Sequence, residues 1–163
     1  MENRYAHLLS PFQVGNVVFR NRMFTAPMGL HALQGGELYP TEAIITHYAN
    51  KAKGGAAVVT CSGTGAYPVT PDQDHLSYDL DIGHCQHYLA QLAEAIHFYG
   101  AKASMEIQAA TKERGYYVSG GLMVPGPGMV PGQPTKELTR EMLEEIKKNL
   151  QDQVKILKRI GYD

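Results

Sequence analysis

Residues 41–61, TEAIITHYANKAKGGAAVVTC, decide the fold. Thr41 is a residue type that caps helices, and apolar side chains such as Ile44 and Tyr48 recur at helical spacing until two glycines end the pattern. The run AAVVTC at 56–61 follows at once and is short, β-branched and not alternating. Such a run is typical of a strand buried on both faces. A helix that leads directly into a buried strand indicates a βαβ unit.

The same alternation extends on both sides of this stretch. A hairpin is predicted around Gly15 and Asn16, and a short strand at 23–26 follows it. Further on come a helix closed by Gly100, a strand at 102–107 and a helix capped by Thr139. The predicted buried stripe of this last helix is Leu143, Ile146, Leu150, Val154 and Leu157.

This order of elements predicts an α/β fold with a parallel sheet. Two architectures fit it: an open doubly wound sheet, or the first part of a (β/α)₈ barrel. The Gly-x-Gly-x-x-Gly turn that often follows the first strand of a dinucleotide-binding sheet is absent, since that strand ends in Ala26 and Pro27. Periodicity alone leaves both architectures open.

Composition bounds the function classes. The chain has 163 residues and a net charge of −1, with no basic or acidic tail, so nothing indicates nucleic acid or an anionic membrane as a partner. No apolar run approaches the roughly 20 residues of a membrane span, and the N-terminus lacks the apolar core of a secretory signal. We therefore expect a cytoplasmic protein with one domain.

The cysteines and histidines do not form a convincing metal site. Cys61 and Cys85 have neither Cys-x-x-Cys spacing nor a disulfide framework, so reduced thiols are expected. The run HCQH at 84–87 contains residue types that bind metals, but no second cluster accompanies it. We predict no metal site in this chain.

An ordered set of short motifs resembles the Old Yellow Enzyme family of flavin oxidoreductases, and more narrowly its bacterial branch with 2,4-dienoyl-CoA reductase and enoate reductase. The matching motifs occur in the family's order over nearly the whole chain. They are SPF at 10–12, GN at 15–16, NRM at 21–23, APM at 26–28, HYANKAKGG at 47–55, GAKAS at 100–104, ELT at 137–139 and IGYD at 160–163.

The resemblance implies a (β/α)₈ TIM barrel with its bottom closed by the N-terminal hairpin and with FMN at the C-terminal ends of the strands. It also implies an NAD(P)H-dependent reductase of activated C=C bonds in a small enone, enoate or dienoyl substrate. A 4Fe-4S cluster, known in this branch, is expected only in a C-terminal part beyond Asp163. A homo-oligomer or a complementing C-terminal chain is the expected protein partner.

The resemblance also assigns site residues. On the first strand, Ala26, Pro27, Met28 and Gly29 match the segment that packs against the flavin. Ser62 matches a flavin contact after the second strand, and Glu106 matches a flavin contact on the third strand. A flavin N–H would give the Glu106 carboxylate a hydrogen-bond partner. His31 matches an aromatic substrate contact. The corresponding alternatives are a plain strand end, a loop serine, a solvated or protein-paired glutamate and a loop histidine.

Three departures from the family's pattern concern the active site. Gly29 replaces a Thr or Cys that contacts the flavin, and Ala109 stands where the family has a histidine. The loop after the third strand has PGPG at 125–128, where Pro-Ser is usual. The family's substrate-binding pair, His-x-x-His or His-x-x-Asn, and its proton-donating Tyr follow the motif that ends at Asp163, so no catalytic residue is predicted within this chain.

The length is short for the implied fold, because a (β/α)₈ barrel takes about 250 residues. We therefore expect residues 1–163 to be the N-terminal portion of a single FMN-binding barrel domain. The chain would be an excerpt of a longer protein, one piece of a split protein, or a truncated gene product. The last case keeps a second function open, a non-catalytic half-barrel that binds a partner or has a structural role.

Overall fold

The computed structural model describes residues 4–28, 33, 37, 39–65, 78–80, 83–107 and 139–163. A short helix begins the described chain, and strands and longer helices alternate after it. The elements are α1 (Ala6–Leu9), β1 (Phe12–Val14), β2 (Val17–Phe19), β3 (Phe24–Thr25), α2 (Glu42–Lys53), β4 (Val58–Gly65), β5 (Tyr78–Asp79), α3 (Gly83–Phe98), β6 (Lys102–Ile107) and α4 (Arg140–Arg159).

The predicted hairpin is confirmed. Strands β1 and β2 pair antiparallel, and Gly15 turns between them with φ +58°. The rings of Phe12 and Phe19 stack with centroids 5.2 Å apart, and Phe24 of β3 packs against both. The hairpin is therefore attached to the main sheet through an aromatic cluster.

The main sheet is parallel, as predicted. Strand β4 lies between β3 and β6, with Val58 opposite both Phe24 and Lys102. The two-residue strand β5, which the sequence analysis did not predict, pairs with the end of β4. The register of β4 and β6 shifts by one residue between Cys61 and Thr64, so β4 carries an extra residue there.

The helices cover one face of this sheet. Val59, Cys61 and Ala103 are fully buried on that face against a core from the helices. The main helix residues of the core are Ile44, Tyr48, Leu89, Leu92, Ile96 and Leu157. Because side chains alternate along a strand, Thr60, Ser62, Ser104 and Glu106 belong to the opposite face, where they are half-buried.

Arg20 joins the hairpin to the ends of two helices. Its guanidinium donates hydrogen bonds to the main-chain oxygens of Ala52, Ala56 and Tyr99, which follow or end α2 and α3. Gly100 has φ +72°, and a Cβ there would lie 3.3 Å from Arg20 Nη1. Both the turn after α3 and the closeness of the guanidinium therefore favour glycine at this position.

One sequence prediction about burial was wrong. In α4, Ile146 and Leu157 are buried as expected, but Leu143 and Val154 are 50% and 53% exposed. Met142 and Gln153 take buried positions instead. The apolar stripe of α4 is wider than the surface that the described elements offer to it, so one side of the stripe stays uncovered. No helix among the described residues is long and apolar enough to cross a membrane.

Candidate functional site

The C-terminal ends of β3, β4 and β6 lie next to one another, because the three strands are parallel and adjacent. In open and closed parallel α/β sheets this is the edge where ligands bind. Residues 26–28 leave β3 at this edge, Ser62 lies near the end of β4, and Glu106 lies near the end of β6. The sheet therefore gathers most of the predicted flavin contacts at one edge.

Tyr48 connects two of these strand ends from behind. Its hydroxyl donates a hydrogen bond to the Met28 carbonyl oxygen over 3.0 Å and accepts one from the Ser62 main-chain N–H over 3.1 Å. The side chain belongs to α2 and is 1% exposed. Burial raises the pKa of Tyr48 to about 12, so the hydroxyl keeps its proton at neutral pH.

Ser62 continues this connection to the third strand. Its hydroxyl donates to Glu106 Oε2 over 3.3 Å, and both side chains are half-buried. A half-buried carboxylate needs hydrogen-bond donors, and Ser62 supplies one of them. Glu106 is therefore paired within the protein, while a flavin N–H as a further donor stays a prediction.

The segment after β3 presents small or flexible side chains. Ala26, Pro27 and Met28 are all exposed, and Met28 is 49% exposed even though its carbonyl is held by Tyr48. Gly29 and His31, which the sequence analysis assigned to the flavin and the substrate, lie outside the described residues. The contact of this segment with a flavin stays a prediction.

Cys61 lies on the other side of the sheet from this edge. It is fully buried among the helix side chains, and burial raises the pKa of its thiol, which keeps it protonated and unreactive. Cys85 is equally buried in α3, whereas His84 and His87 of the same helix are exposed. Within the described residues, no three His, Cys, Asp or Glu side chains are grouped so that they could hold a metal ion.

The described edge fits one side of a flavin ring. A flat ring can approach closely where a strand is followed by exposed residues with small or flexible side chains, as at residues 26–28. The pyrimidine part of the ring carries an N–H donor, and the Glu106 carboxylate offers an acceptor at the neighbouring strand end. An exposed segment for the ring and an acceptor for its N–H are the groups that an FMN ring needs from this edge.

Sequence reasoning missed the role of Tyr48, because it read the residue only as part of the buried stripe of α2. A signal was present in the residue type. A tyrosine at a fully buried helix position needs a partner for its hydroxyl, whereas phenylalanine or leucine would not. The observed partners are the Met28 carbonyl after β3 and the Ser62 N–H on β4.

A family model described as NADH:flavin oxidoreductase / NADH oxidase family matches residues 7–160. The chain belongs to this family. The chain is 30% identical to a metal reductase of Desulforamulus reducens, and the match covers 96% of this chain and 23% of that protein. It is also 30% identical to an NADH oxidase of Thermoanaerobacter brockii, over 87% of this chain and 22% of that protein.

A shorter relative is matched over a larger share of its length. An NADPH dehydrogenase of Listeria monocytogenes is 25% identical to the chain, over 96% of this chain and 46% of the relative. The chain thus spans between about a quarter and a half of the length of these curated relatives.

Solved structures show the same fold. A 2-naphthoyl-CoA reductase in complex with 2-naphthoyl-CoA superposes with a TM-score of 0.75 at 20% identity, over 97% of this chain and 26% of that one. An Old Yellow Enzyme from Pichia sp. AKU4542 gives a TM-score of 0.70 at 15% identity, over 96% of this chain and 44% of that one. The predicted fold class is confirmed: the chain has the architecture of the N-terminal part of a flavin-oxidoreductase TIM barrel, rather than that of a doubly wound sheet.

Proposed function

We propose that the protein formed by this chain is an FMN-dependent NAD(P)H oxidoreductase that reduces activated C=C bonds. The chain's own contribution is one wall of the flavin site. The observation that carries the proposal is the hydrogen-bonded row of Met28, Tyr48, Ser62 and Glu106 at the C-terminal edge of the sheet. Family membership supports FMN as the group that this edge receives.

The described residues would divide the work as follows. The exposed segment at 26–28, with its small or flexible side chains, would lie against the ring. Glu106 would accept a hydrogen bond from the ring N–H, while Ser62 orients its carboxylate through the 3.3 Å hydrogen bond. FMN supplies the redox chemistry when bound, and NAD(P)H is the electron donor. We assign no catalytic acid to the described residues.

The substrate class is the finer part of the proposal. A small molecule with a C=C bond conjugated to a carbonyl, such as an enone, an enoate or a dienoyl thioester, suits a reductase of this family. His31 remains our proposed substrate contact, although it lies outside the described residues. We assign no group that polarises the double bond to the described residues; a complementing C-terminal chain or a homo-oligomer remains the proposed protein partner.

The test uses the native gene product that contains this chain. We expect the purified protein to show the visible absorbance bands of oxidised flavin, or to quench FMN fluorescence when the apoprotein is titrated with FMN. Anaerobic addition of NADH or NADPH should bleach the bound flavin, and cyclohexenone should restore its colour.

Two outcomes separate the alternatives. A folded protein that contains no flavin and takes up none would contradict the proposal and favour a non-catalytic half-barrel. A protein that binds FMN and is bleached by NAD(P)H but leaves every enone and enoate unreduced would contradict only the substrate class.

A further inference from the structure

We propose that Tyr48 is a positioning residue that fixes the spacing of the two strand ends at the flavin site, and so sets the affinity for FMN without contacting it. The inference rests on the proposed function and extends it to a residue of the helix layer. Tyr48 is 1% exposed and lies on α2, behind the edge that residues 26–28 and Ser62 form.

The hydrogen bonds of Tyr48 have only one arrangement. The Met28 carbonyl can only accept, so the hydroxyl must donate its proton there. The Ser62 N–H can only donate, so the same oxygen must accept from it. A single buried atom thus holds one backbone group from each of the two strand ends.

This bridge begins where the strand ladder stops. The last backbone pair between β3 and β4 is Thr25 with Val59. One step further, the Thr25 hydroxyl oxygen accepts a hydrogen bond from the Thr60 N–H over 3.1 Å. Beyond that, the described hydrogen bonds that hold residue 28 to residue 62 run through Tyr48.

The bridge also reaches the carboxylate of the site. Ser62 receives the Tyr48 contact at its main-chain N–H and passes a second hydrogen bond from its hydroxyl to Glu106. A shift of the Ser62 backbone would therefore move the donor that orients Glu106. The register shift of β4 against β6 after Cys61 makes this backbone depend more on contacts outside the ladder.

The ring of Tyr48 is itself held in place. Ile44 and Ala52, one turn before and one turn after it, are equally buried on the same face of α2. The His47 ring meets the Tyr48 ring edge-on at 5.5 Å, and Lys51 Nζ lies 5.8 Å from the ring centroid. Removal of the hydroxyl alone should therefore leave the ring where it is and release only the two strand ends.

The experiment compares Tyr48→Phe with Tyr162→Phe in the native gene product. Tyr162 is 4% exposed in the same core, and no hydrogen bond described for its hydroxyl joins β3 to β4. For each protein we would measure the dissociation constant for FMN, the absorbance spectrum of the bound flavin and the urea midpoint of the apoprotein. The native protein serves as the reference for all three.

We expect Tyr48→Phe to weaken FMN binding about tenfold, because the loss of a hydrogen bond costs about 1.4 kcal/mol, which is tenfold in affinity. We also expect it to shift the absorbance spectrum of the bound flavin. Tyr162→Phe should leave both unchanged, whatever it does to the urea midpoint. Unchanged FMN affinity and spectrum in a folded Tyr48→Phe protein would overturn the inference, because the hydroxyl would then act on stability alone.

Two further arms keep the result decisive. If Tyr48→Phe does not fold, 4-aminophenylalanine at position 48 or 162 keeps a hydrogen-bond donor at nearly constant size but is a poor acceptor, so at position 48 it weakens the bond from the Ser62 N–H. A loss of FMN affinity only at position 48 supports the inference, and equal affinities contradict it. If the native protein itself binds no FMN, the proposed function fails. If the native protein binds FMN and the Tyr48 variant binds it equally well, only the role of Tyr48 fails.

Discussion

Asp163 and Ala103 exchange hydrogen bonds in both directions. The Asp163 N–H donates to the Ala103 carbonyl over 2.9 Å, and the Ala103 N–H donates to Asp163 Oδ2, also over 2.9 Å. The carboxylate further accepts from His97 and Lys102 at 2.8 and 2.9 Å. Asp163, four residues beyond the end of α4, is therefore held beside the start of β6 by both its main chain and its side chain.

This carboxylate should make stability fall at acidic pH. Partial burial alone would raise the pKa of Asp163, but hydrogen bonds from Lys102, His97 and the Ala103 amide outweigh it and lower the pKa below its usual value. A depressed pKa stabilises the fold above the unfolded-state value of about 4, and this contribution disappears as pH falls through the folded value. Urea unfolding at a series of pH values should show Asp163→Asn less stable than the native protein at pH 7, and this difference in stability should shrink as the pH falls toward 2. A stability difference that stays constant down to pH 2 would contradict this reading.

Replacement of Arg20 by lysine should destabilise the fold. A single ammonium cannot reproduce a planar guanidinium that binds three carbonyl oxygens, so we expect a loss of about 1–3 kcal/mol in the free energy of unfolding. Lys147→Met is the control, since Lys147 pairs with Glu144 on an exposed face and should cost at most about 0.5 kcal/mol. Equal midpoints for the two variants in chemical denaturation would exclude the role given to Arg20.

The two glycines that flank α3 should respond oppositely to alanine. Gly100→Ala places a Cβ at φ +72° and 3.3 Å from Arg20 Nη1, and should cost about 1–2 kcal/mol or more. Gly83→Ala, at the start of the helix, meets nothing within 4 Å and should be neutral or stabilising by up to about 1 kcal/mol. Thermal unfolding of both variants checks the order, and a Gly83→Ala protein that melts below Gly100→Ala would refute it.

Glu106 gives a direct test of the flavin contact. Under the proposed function, Glu106→Leu removes the acceptor for the ring N–H and should weaken FMN binding about tenfold or more. Glu106→Gln keeps an acceptor oxygen of similar shape and should lose less. Fluorescence titration of the apoproteins with FMN gives the order of affinities. If Glu106→Leu binds FMN as tightly as Glu106→Gln, the glutamate serves Ser62 rather than the cofactor.

The two cysteines should be unreactive in the folded protein. Both are fully buried, and burial raises the pKa of the Cys61 thiol. We expect N-ethylmaleimide to leave both unmodified under native conditions and to label both after denaturation in guanidinium. Peptide mapping by mass spectrometry reads each site separately. Rapid labelling of Cys61 in the native protein would show that the sheet and helix layers open.

Local patterns in the sequence predicted the fold well. The caps at Thr41 and Thr139 begin α2 and α4 as expected, and strand β6 has the predicted bounds of 102–107. These features depend on neighbouring residues, so they can be read from a short window. The motif order then favoured a barrel over an open sheet, and the comparisons confirmed that choice.

The parts that the sequence did not predict depend on tertiary contacts. Whether Leu143 or Met142 is buried depends on which elements cover α4, and adjacent helix positions cannot be ranked without that knowledge. Strand β5 has only two residues and forms because the end of β4 offers it a partner. The pairing of Ser62 with Glu106 joins residues 44 positions apart, and no local pattern indicates such a distance.

The contacts of Arg20 also set an order of events for a newly made chain. Its carbonyl partners lie 32, 36 and 79 positions further along. The hairpin leaves the ribosome before α2 and α3, yet the last acceptor of Arg20, the carbonyl of Tyr99, is synthesised much later. Contacts of long sequence separation form late, and domains are completed only as their distant segments emerge. The hairpin can therefore reach its final position only after α3 has been synthesised, although it is translated well before that helix.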